Sequence, residues 1–341
     1  MVLDRVPAPR LTACLIVRDE GPRVAACLDS LSPLVDEVVV HDTGSIDDTV
    51  QVLRGTGAVV VEGSWNDDFA AARNVALELA RGEWVLSVDA DEVVAGDADG
   101  LRKWLDGVHV DTVRVRIHNL GREGSEGHEH TPVRLFRRAG ATWRGRLHET
   151  VGHGGRPSGD APAQLVPGEL LSIEHHGYAD EAAQRRKGER NLRLADRALD
   201  EVLRDASATP HEVAVAALNV GRSAIGAEHP QRAVDAFEAV RELVDSGPTW
   251  NEATDYLARV LLGAGESRLA LVLADQLQQA GVSRDYCRWL RAQGLAQTGD
   301  PAGALAQVEG VDSIVDPSGR RFDPAPLDRL RGLCRELLAA R

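Results

Sequence analysis

Short apolar runs alternate with helix-like segments through the first 90 residues of the chain. Four runs have the apolar, β-branched composition of strands: 11–17 (LTACLIV), which is predicted to be buried, 37–41 (EVVVH), 58–61 (AVVV) and 84–88 (WVLSV). Three intervening segments are predicted helices: 24–34, 47–54 and 68–80. Strands that alternate with helices build a largely parallel sheet, so the pattern predicts an α/β domain whose ligands bind at the carboxyl edge of its strands.

Turn and strand signals refine this prediction. Ser45, followed three residues later by Asp48, predicts a capping box at the start of the second helix. From residue 112, apolar and polar residues alternate singly, which is typical of an antiparallel strand with one solvated face. The glycine- and charge-rich segment 121–130 predicts a loop. Further strands are expected within 133–137, 146–151 and 164–173, so the sheet is predicted to be mixed but mostly parallel.

The second half of the chain is predicted to be helical. GESRLAL at 265–271 and GDPAGAL at 299–305 recur at an offset of 34 residues, the tetratricopeptide period, and a looser copy lies at 227–234. Three helical hairpins are therefore expected at 217–242, 254–280 and 285–308. An ordinary helical bundle with accidental similarity is the alternative. We place the domain boundary between 1–178 and 179–341.

Charge and cysteine usage narrow the class of partner. The 341 residues carry 39 Lys and Arg against 53 Asp and Glu, a net charge of -14, which argues against nucleic acid as a partner. No apolar run approaches the ~20 residues of a membrane span, and the N-terminal residues lack the apolar core of a signal peptide. The four cysteines stand far apart and are expected to be reduced. We expect a cytoplasmic protein without a membrane span.

Two acidic residues follow the strand at 84–88. Asp89 and Asp91 can converge on a hard divalent cation, Mn²⁺ or Mg²⁺, that also holds a diphosphate. The alternative is that these carboxylates merely solvate the end of a strand.

Three blocks in order carry a resemblance to a known family. The stretches LTACLIVRDEG, VVVHDTGSIDDT and NDDFAAARNVALELARGEWVLSVDADE resemble the nucleotide-sugar half of family 2 glycosyltransferases with a GT-A fold. The resemblance continues more weakly through GRLHETV and IEHHGY. Together with the tetratricopeptide-like hairpins, these later blocks are similar to the subgroup that contains bacteriocin peptide S-glycosyltransferases. The resemblance thus implies a GT-A-type α/β domain at 1–178 and an all-α helical-repeat domain at 179–341.

The resemblance also implies an activity. It is the metal-dependent, inverting transfer of a hexose from a UDP-sugar to an acceptor, either a peptide or protein side chain or a natural-product scaffold. Carried over residue by residue, Arg18, Asp19 and Glu20 would border the nucleoside, and Asp42 would accept the N3–H of uracil.

The phosphate side of the donor is assigned in the same way. Arg73 and Asn74 would touch the nucleotide or its phosphates, Asp89 would face the ribose and the metal, and Asp91 would ligate the metal. An arginine and a cation would stabilise the charge that the leaving group gains. A helix-surface Arg73 and a turn-forming Asp42 are the alternatives.

The catalytic base is less clear. Family 2 enzymes commonly use an aspartate, and none is evident, so Glu149, paired with His148 on an expected strand, is the candidate. His175 and His176 are candidates for a further metal ligand, with a structural role as the alternative.

Two other functions compete with this interpretation. A sugar-nucleotide nucleotidyltransferase would carry a glycine-rich phosphate loop after the first strand, where the sequence reads VRDEGPR. A catalytically inactive transferase-like domain with a partner-binding helical repeat is the stronger alternative. A homodimer formed through the helical domain is also expected.

Overall fold

A computed structural model describes residues 9–120, 127–155, 162–176 and 181–340. Contacts divide these residues into two compact units. The first contains 9–120 with the described part of 130–176, and the second contains 127–129 with 181–340. The boundary expected at 178 lies outside the described residues.

The first unit is built from short strands and four helices. Its strands are β1 (Leu11–Val17), β2 (Glu37–Asp42), β3 (Val59–Glu62), β4 (Trp84–Ser87), β5 (Glu92–Ala95), β6 (Thr112–Arg114), β7 (Arg116–Asn119), β8 (His128–His130, which begins in the second unit), β9 (Val133–Arg137), β10 (Ala141–Arg144), β11 (Thr150–His153), β12 (Ala163–Leu165) and β13 (Ser172–His175). Its helices are α1 (Gly21–Leu31), α2 (Thr49–Arg54), α3 (Phe69–Leu79) and α4 (Ala98–Asp106).

The main sheet has the strand order β12-β6-β9-β4-β1-β2-β3. Strands β4, β1, β2 and β3 are parallel, while β9 runs antiparallel between β4 and β6. The predicted mixed, mostly parallel sheet is therefore confirmed. Since Val17 pairs with Asp42 and Cys14 pairs with Ser87, the residues that follow β1, β2 and β4 emerge at one edge. Every residue of β1 except Ile16 is buried, as expected for a central strand covered on both faces.

A second group of strands flanks this edge. Strand β13 is parallel to β7 and antiparallel to β5, and its register places His175 opposite both Asn119 and Glu92. Strands β10 and β11 form an antiparallel hairpin in which Trp143 pairs with Val151.

Several local predictions are wrong. Asp48 is the N-cap of α2 without a side-chain bond, and the Ser45 hydroxyl instead donates to Asp42 at 2.5 Å, so the capping box is absent from this described helix start. Part of the expected loop forms β8. The run 164–173 is interrupted by Pro167 and Gly168, which separate β12 from β13.

His148 and Glu149 do not lie on a strand. They belong to the turn between β10 and β11, in which Gly145 and His148 have φ values of 96° and 53°. This left-handed backbone is incompatible with the extended strand expected for 146–151.

The second unit is largely helical, as predicted. It contains α5 (Glu181–Arg204), α6 (Pro210–Gly226), α7 (Pro230–Leu243), α8 (Pro248–Gly263), α9 (Ser267–Gln279), α10 (Arg284–Gln297), α11 (Pro301–Val308), β14 (Ile314–Val315), β15 (Arg321–Phe322) and α12 (Ala325–Ala339). The expected hairpins correspond to α6–α7, α8–α9 and α10–α11, and the starts of α9 and α11 differ by the predicted 34 residues. The first hairpin begins earlier than expected because Pro210 at the first helical position and a Thr209–Glu212 capping box start α6 there.

Two further observations concern the cysteines and the apolarity of the helices. The four cysteines are free and buried. Within the described ranges, none of the helices combines the length and apolarity needed to cross a bilayer.

Candidate active site

Asp89 occupies the centre of a charge cluster at the edge where β4 ends. Its Oδ1 accepts a hydrogen bond from Arg73 Nη2 at 2.7 Å, and its Oδ2 accepts one from Arg134 Nη2 at 3.0 Å. Arg73 comes from α3 and Arg134 from β9, the antiparallel strand beside β4. Both oxygens of the aspartate that was predicted to face the ribose and the metal are thus engaged by arginines.

Arg73 is a buried hub rather than a helix-surface residue. Its Nε donates to Glu149 Oε1 at 2.5 Å and its Nη1 donates to Ser87 Oγ at 3.1 Å, in addition to the bond with Asp89. The guanidinium carbon lies 5.1 Å from the ring centre of Trp143. Arg73 therefore fixes Asp89 and Glu149, two of the predicted site carboxylates, in one arrangement.

The cluster is strongly stabilised in its charged form. Burial by itself would raise the pKa of Asp89, but Arg73 and Arg134 outweigh it and hold that pKa well below its usual range. Burial likewise opposes the charge on Arg73, while Asp89 and Glu149 raise the pKa of its guanidinium. Asp89 is therefore an anion at neutral pH, held between two cations.

Glu92 and Arg134 were not assigned a role from the sequence. The Glu92 side chain is 2% exposed; its Oε1 accepts from Arg134 Nη2 at 2.9 Å and its Oε2 accepts from the Asp89 backbone N–H at 2.8 Å. Burial, together with the neighbouring Asp89, raises the pKa of Glu92 to about 7 against the opposing effect of Arg134. The sequence offered one indication of a role for Arg134, because it is a charged residue within the otherwise apolar strand start VRLF.

Asp91 and His175, two of the candidate metal ligands, lie side by side, while their role as ligands stays a prediction. His175 Nε2 lies 3.1 Å from Asp91 Oδ2, and its Nδ1 lies 2.8 Å from Asn119 Oδ1. Asn119 Nδ2 in turn lies 2.9 Å from His130 Nδ1. The hydrogen bond with Asp91 raises the pKa of His175 despite partial burial.

His176 is placed differently. Its backbone N–H donates to the Asp91 carbonyl at 3.0 Å, and its Nε2 lies 3.7 Å from Glu174 Oε2. Because successive residues of an extended chain alternate between faces, the His176 side chain points away from the His175 side. The geometry therefore favours His175 over His176 as a partner of Asp91.

The Asp91–His175 pair suits a divalent cation. Neighbouring ligands of an octahedral ion with bonds of about 2.1 Å are separated by ~3.0 Å, close to the 3.1 Å seen here. Among the residues that the structure describes, no group of three or more His, Cys, Asp or Glu side chains is arranged to hold a metal. Mg²⁺-type ions are commonly held by one or two protein ligands, with phosphate and water oxygens in the remaining positions.

The residues predicted to border a nucleoside lie after β1 and β2. Arg18 is exposed, and the Glu20 side chain accepts from Arg23 Nη1 at 2.9 Å. Asp42 is buried, and its Oδ1 accepts from the backbone N–H groups of Gly44 and Ser45 at 3.0 and 2.9 Å. Asp42 thus forms the turn that follows β2, the alternative raised by its sequence, while its contact with uracil stays a prediction.

Asn74 has a structural function. Its Nδ2 donates to the Trp143 carbonyl at 3.0 Å, and its Oδ1 accepts from the Trp143 backbone N–H at 2.9 Å. These bonds attach α3 to β10 and thereby support the turn that carries Glu149. Contact of Asn74 with a nucleotide remains a prediction.

Comparisons with known proteins place this geometry in a family context. The family model described as glycosyl transferase family 2 matches residues 12–153. A TPR repeat-containing protein of Synechococcus elongatus is 44% identical over 98 residues, which is 28% of this chain and 24% of that protein. The SPbeta prophage-derived glycosyltransferase SunS of Bacillus subtilis is 27% identical over 205 residues, which is 58% of this chain and 46% of SunS.

Among solved structures, S. aureus TarS is similar with a TM-score of 0.42 and 14% identity, over 84% of this chain and 54% of TarS. The chain spans less than half the length of the two curated relatives named above. The match at 12–153 contains β1 to β4, α3, Asp89, Asp91 and the turn with Glu149, in agreement with the resemblance noted in the sequence. The similarity to glycosyl transferase family 2 thus covers residues 12–153, which include Asp89, Asp91 and Glu149.

Proposed function

We propose that this chain transfers a hexose from a UDP-sugar to an acceptor, with inversion at the anomeric carbon. The observation that carries the proposal is the position of the Asp89–Arg73–Arg134 cluster beside Asp91 and His175, at the carboxyl edge of β4 within a family 2 domain. Open α/β sheets bind their ligands at this edge. Nucleotidyl transfer is disfavoured because VRDEGPR after β1 has no glycine-rich phosphate loop.

Donor binding is assigned to the loops after β1 and β2. Arg18 and Glu20 would border the nucleoside, and Asp42, which the turn after β2 holds in place, would face the uracil. The phosphates would lie toward Asp91 and His175.

A divalent cation, Mn²⁺ or Mg²⁺, would be held by Asp91 and His175. When bound, such an ion stabilises negative charge on a departing diphosphate. The two arginines of the cluster contribute by positioning Asp89. Arg73 and Arg134 hold Asp89 ionised and oriented, and this preorganisation means that little rearrangement is needed as charge develops.

Glu149 is the proposed base that takes the proton from the acceptor. Arg73 fixes its carboxylate through Oε1, and the turn between β10 and β11 presents it beside the cluster. His148, with its left-handed backbone, shapes this turn. The base must lie on the side of the sugar opposite the leaving group, which is the geometric requirement for inversion.

The base assignment has a matched test. Glu149→Gln should bind UDP and Mn²⁺ as the parent does but transfer sugar at least ~100-fold more slowly. Exposed Glu169→Gln, the same change of residue type on the surface, should transfer at the parental rate. Parental transfer by Glu149→Gln would assign the base elsewhere.

The acceptor is proposed to be a peptide or protein side chain, or a natural-product scaffold, held partly by the helical hairpins. Concave surfaces of helical repeats commonly bind peptides, and SunS, a relative over 58% of the chain, is named as a glycosyltransferase. A net charge of -14 favours a neutral or basic acceptor over an acidic one. A cytoplasmic setting, also proposed, agrees with the four free cysteines.

A homodimer through the helical unit belongs to the same proposal. Helix α12 exposes Leu333 and Leu337, and Arg329 and Glu336 lie seven residues apart along it. An antiparallel pairing of two α12 helices about Gly332 and Leu333 would set each arginine against the other copy's glutamate. Sedimentation equilibrium of Leu333→Glu against the parent measures this.

The activity test is release of UDP from UDP-sugars in the presence of Mn²⁺, with and without a panel of peptide acceptors. Release that is stimulated by an acceptor supports the transferase. Nucleotide binding without turnover for any acceptor would favour the alternative, an inactive transferase-like domain that carries a partner-binding helical module.

A further inference from the structure

A hydrogen-bonded row of side chains leads from β8 across β7 to His175. His130 Nδ1 lies 2.9 Å from Asn119 Nδ2, and Asn119 Oδ1 lies 2.8 Å from His175 Nδ1. The row ends at Asp91 Oδ2, which lies 3.1 Å from His175 Nε2. The sheet register sets this arrangement, because Asn119 of β7 lies directly opposite His175 of β13. Opposite residues of paired strands share a face of the sheet.

The chemistry of an amide gives this row a direction. Asn119 Nδ2 has only hydrogens to offer and faces His130 Nδ1, so Oδ1 faces His175 and accepts the proton on Nδ1. With a proton retained at Nδ1, a cation that displaces the Nε2 proton shared with Asp91 finds Nε2 as the nitrogen that offers a lone pair. Histidines that ligate metals usually donate their other ring N–H to such an oxygen.

We propose that Asn119 is a positioning residue that holds His175 in the tautomer and orientation required to bind a divalent cation together with Asp91. The inference rests on the proposed function, which assigns a cation to Asp91 and His175. His130 acts one step further out, by fixing the direction of the Asn119 amide. Neither residue touches the cation or the donor.

The test is the affinity of the full chain for Mn²⁺ in the presence of UDP, measured by calorimetry. Asn119→Leu removes the oxygen that accepts from His175 and should weaken Mn²⁺ binding by about 10- to 100-fold. Asn119→Asp keeps an acceptor at the same position and should bind Mn²⁺ within about threefold of the parent. Gln164→Leu, the loss of an exposed amide on β12, is the matched control and should bind as the parent does.

The Mn²⁺ dependence of sugar transfer is a second measurement, and a merely structural role of Asn119 would not give the result expected from it. In Asn119→Leu the Mn²⁺ concentration for half-maximal transfer should rise while kcat at saturating Mn²⁺ stays near the parental value. Circular dichroism establishes that each variant is folded, and Asn119→Asp still tests the inference if Asn119→Leu does not fold.

The outcomes separate the two proposals. Equal Mn²⁺ affinity of the parent and folded Asn119→Leu overturns the positioning role and leaves the metal assignment standing. Equal loss in Asn119→Leu and Asn119→Asp also overturns it, since the acceptor oxygen would then be irrelevant. Absence of Mn²⁺ binding by the parent with UDP overturns the metal assignment itself, and the inference with it.

Discussion

Replacement of Arg134 by methionine should destabilise the first unit strongly. Arg134 is 16% exposed and bridges Asp89 and Glu92, and its loss leaves the 2%-exposed Glu92 without the cation that compensates its burial. At pH 9, above the raised pKa of Glu92, the parent holds this carboxylate ionised, and removal of its cation costs ~3–5 kcal/mol because Glu92 must then stay desolvated as a charge or take up a proton at high pH. Asp89 keeps Arg73, so we expect the lower end, about 3 kcal/mol.

The second partner provides the decisive comparison. Glu92→Gln in the Arg134→Met background removes the stranded charge and should recover at least ~1 kcal/mol. Arg144→Met, the same substitution at an exposed position of β10, should change stability by less than ~0.5 kcal/mol.

Urea unfolding at pH 9, where Glu92 is ionised in the parent, measures these differences when it is followed by tryptophan fluorescence. With a slope of about 2 kcal/mol per molar urea, a loss of 3 kcal/mol lowers the midpoint by ~1.5 M. A midpoint for Arg134→Met equal to that of Arg144→Met would refute the reasoning. A double variant no more stable than Arg134→Met would show that the stranded charge is not the source of the cost.

Three further predictions concern other parts of the chain. Asp91→Ala should lose metal-dependent UDP binding. Its circular dichroism spectrum should stay parental, because the residue lies after β4 rather than in the core. Unchanged metal dependence of UDP binding in calorimetry would contradict this prediction. Asn74→Ala should cost about 1–3 kcal/mol in urea unfolding, since the bonds to the Trp143 backbone are lost, and a parental midpoint would argue against this attachment. Burial raises the pKa of Asp255 to about 6, so the folded state holds a proton that the unfolded chain releases near pH 4. The free energy of unfolding of the parent therefore falls as the pH rises from about 4 to 6. The stability of Asp255→Asn relative to the parent should therefore increase by up to about 3 kcal/mol between pH 4 and 7, and unfolding curves with a constant difference would refute it.

The parallel part of the sheet was predictable because its signals are local. Strand β1 occupies the predicted residues 11–17, β2 and β4 differ from their predicted bounds by one residue at one end, and β3 is shifted by one residue at both ends. Each is a short apolar run between turn residues. Burial of β1, β2 and β4 removes the ambiguity of their register, whereas β3 is an edge strand with only exposed and half-buried residues. The position of Asp89 and Asp91 after β4 follows directly from that pattern.

The partners within the site depend on long-range pairing and were not predictable. Arg134 reaches Asp89 because β9 inserts antiparallel beside β4, a pairing between residues about 50 positions apart that no local pattern specifies. The meeting of Asn119 with His175 depends in the same way on the register of β13. The turn that holds Glu149 was mistaken for a strand because only a few per cent of non-glycine residues adopt the left-handed backbone seen at His148, so even a histidine, which is enriched there, does not by itself predict it.

The central claim is that the carboxyl edge of β4 binds a uridine diphosphate donor together with a divalent cation. The most direct measurement is calorimetric titration of the full chain with UDP, GDP and dTDP, and with their sugars, each with and without Mn²⁺ or Mg²⁺. We predict binding that is selective for uridine, that requires the cation, and that loses the cation requirement or disappears in Asp91→Ala. Equal affinity for all nucleotides, or the same affinity with and without a cation, would contradict the account.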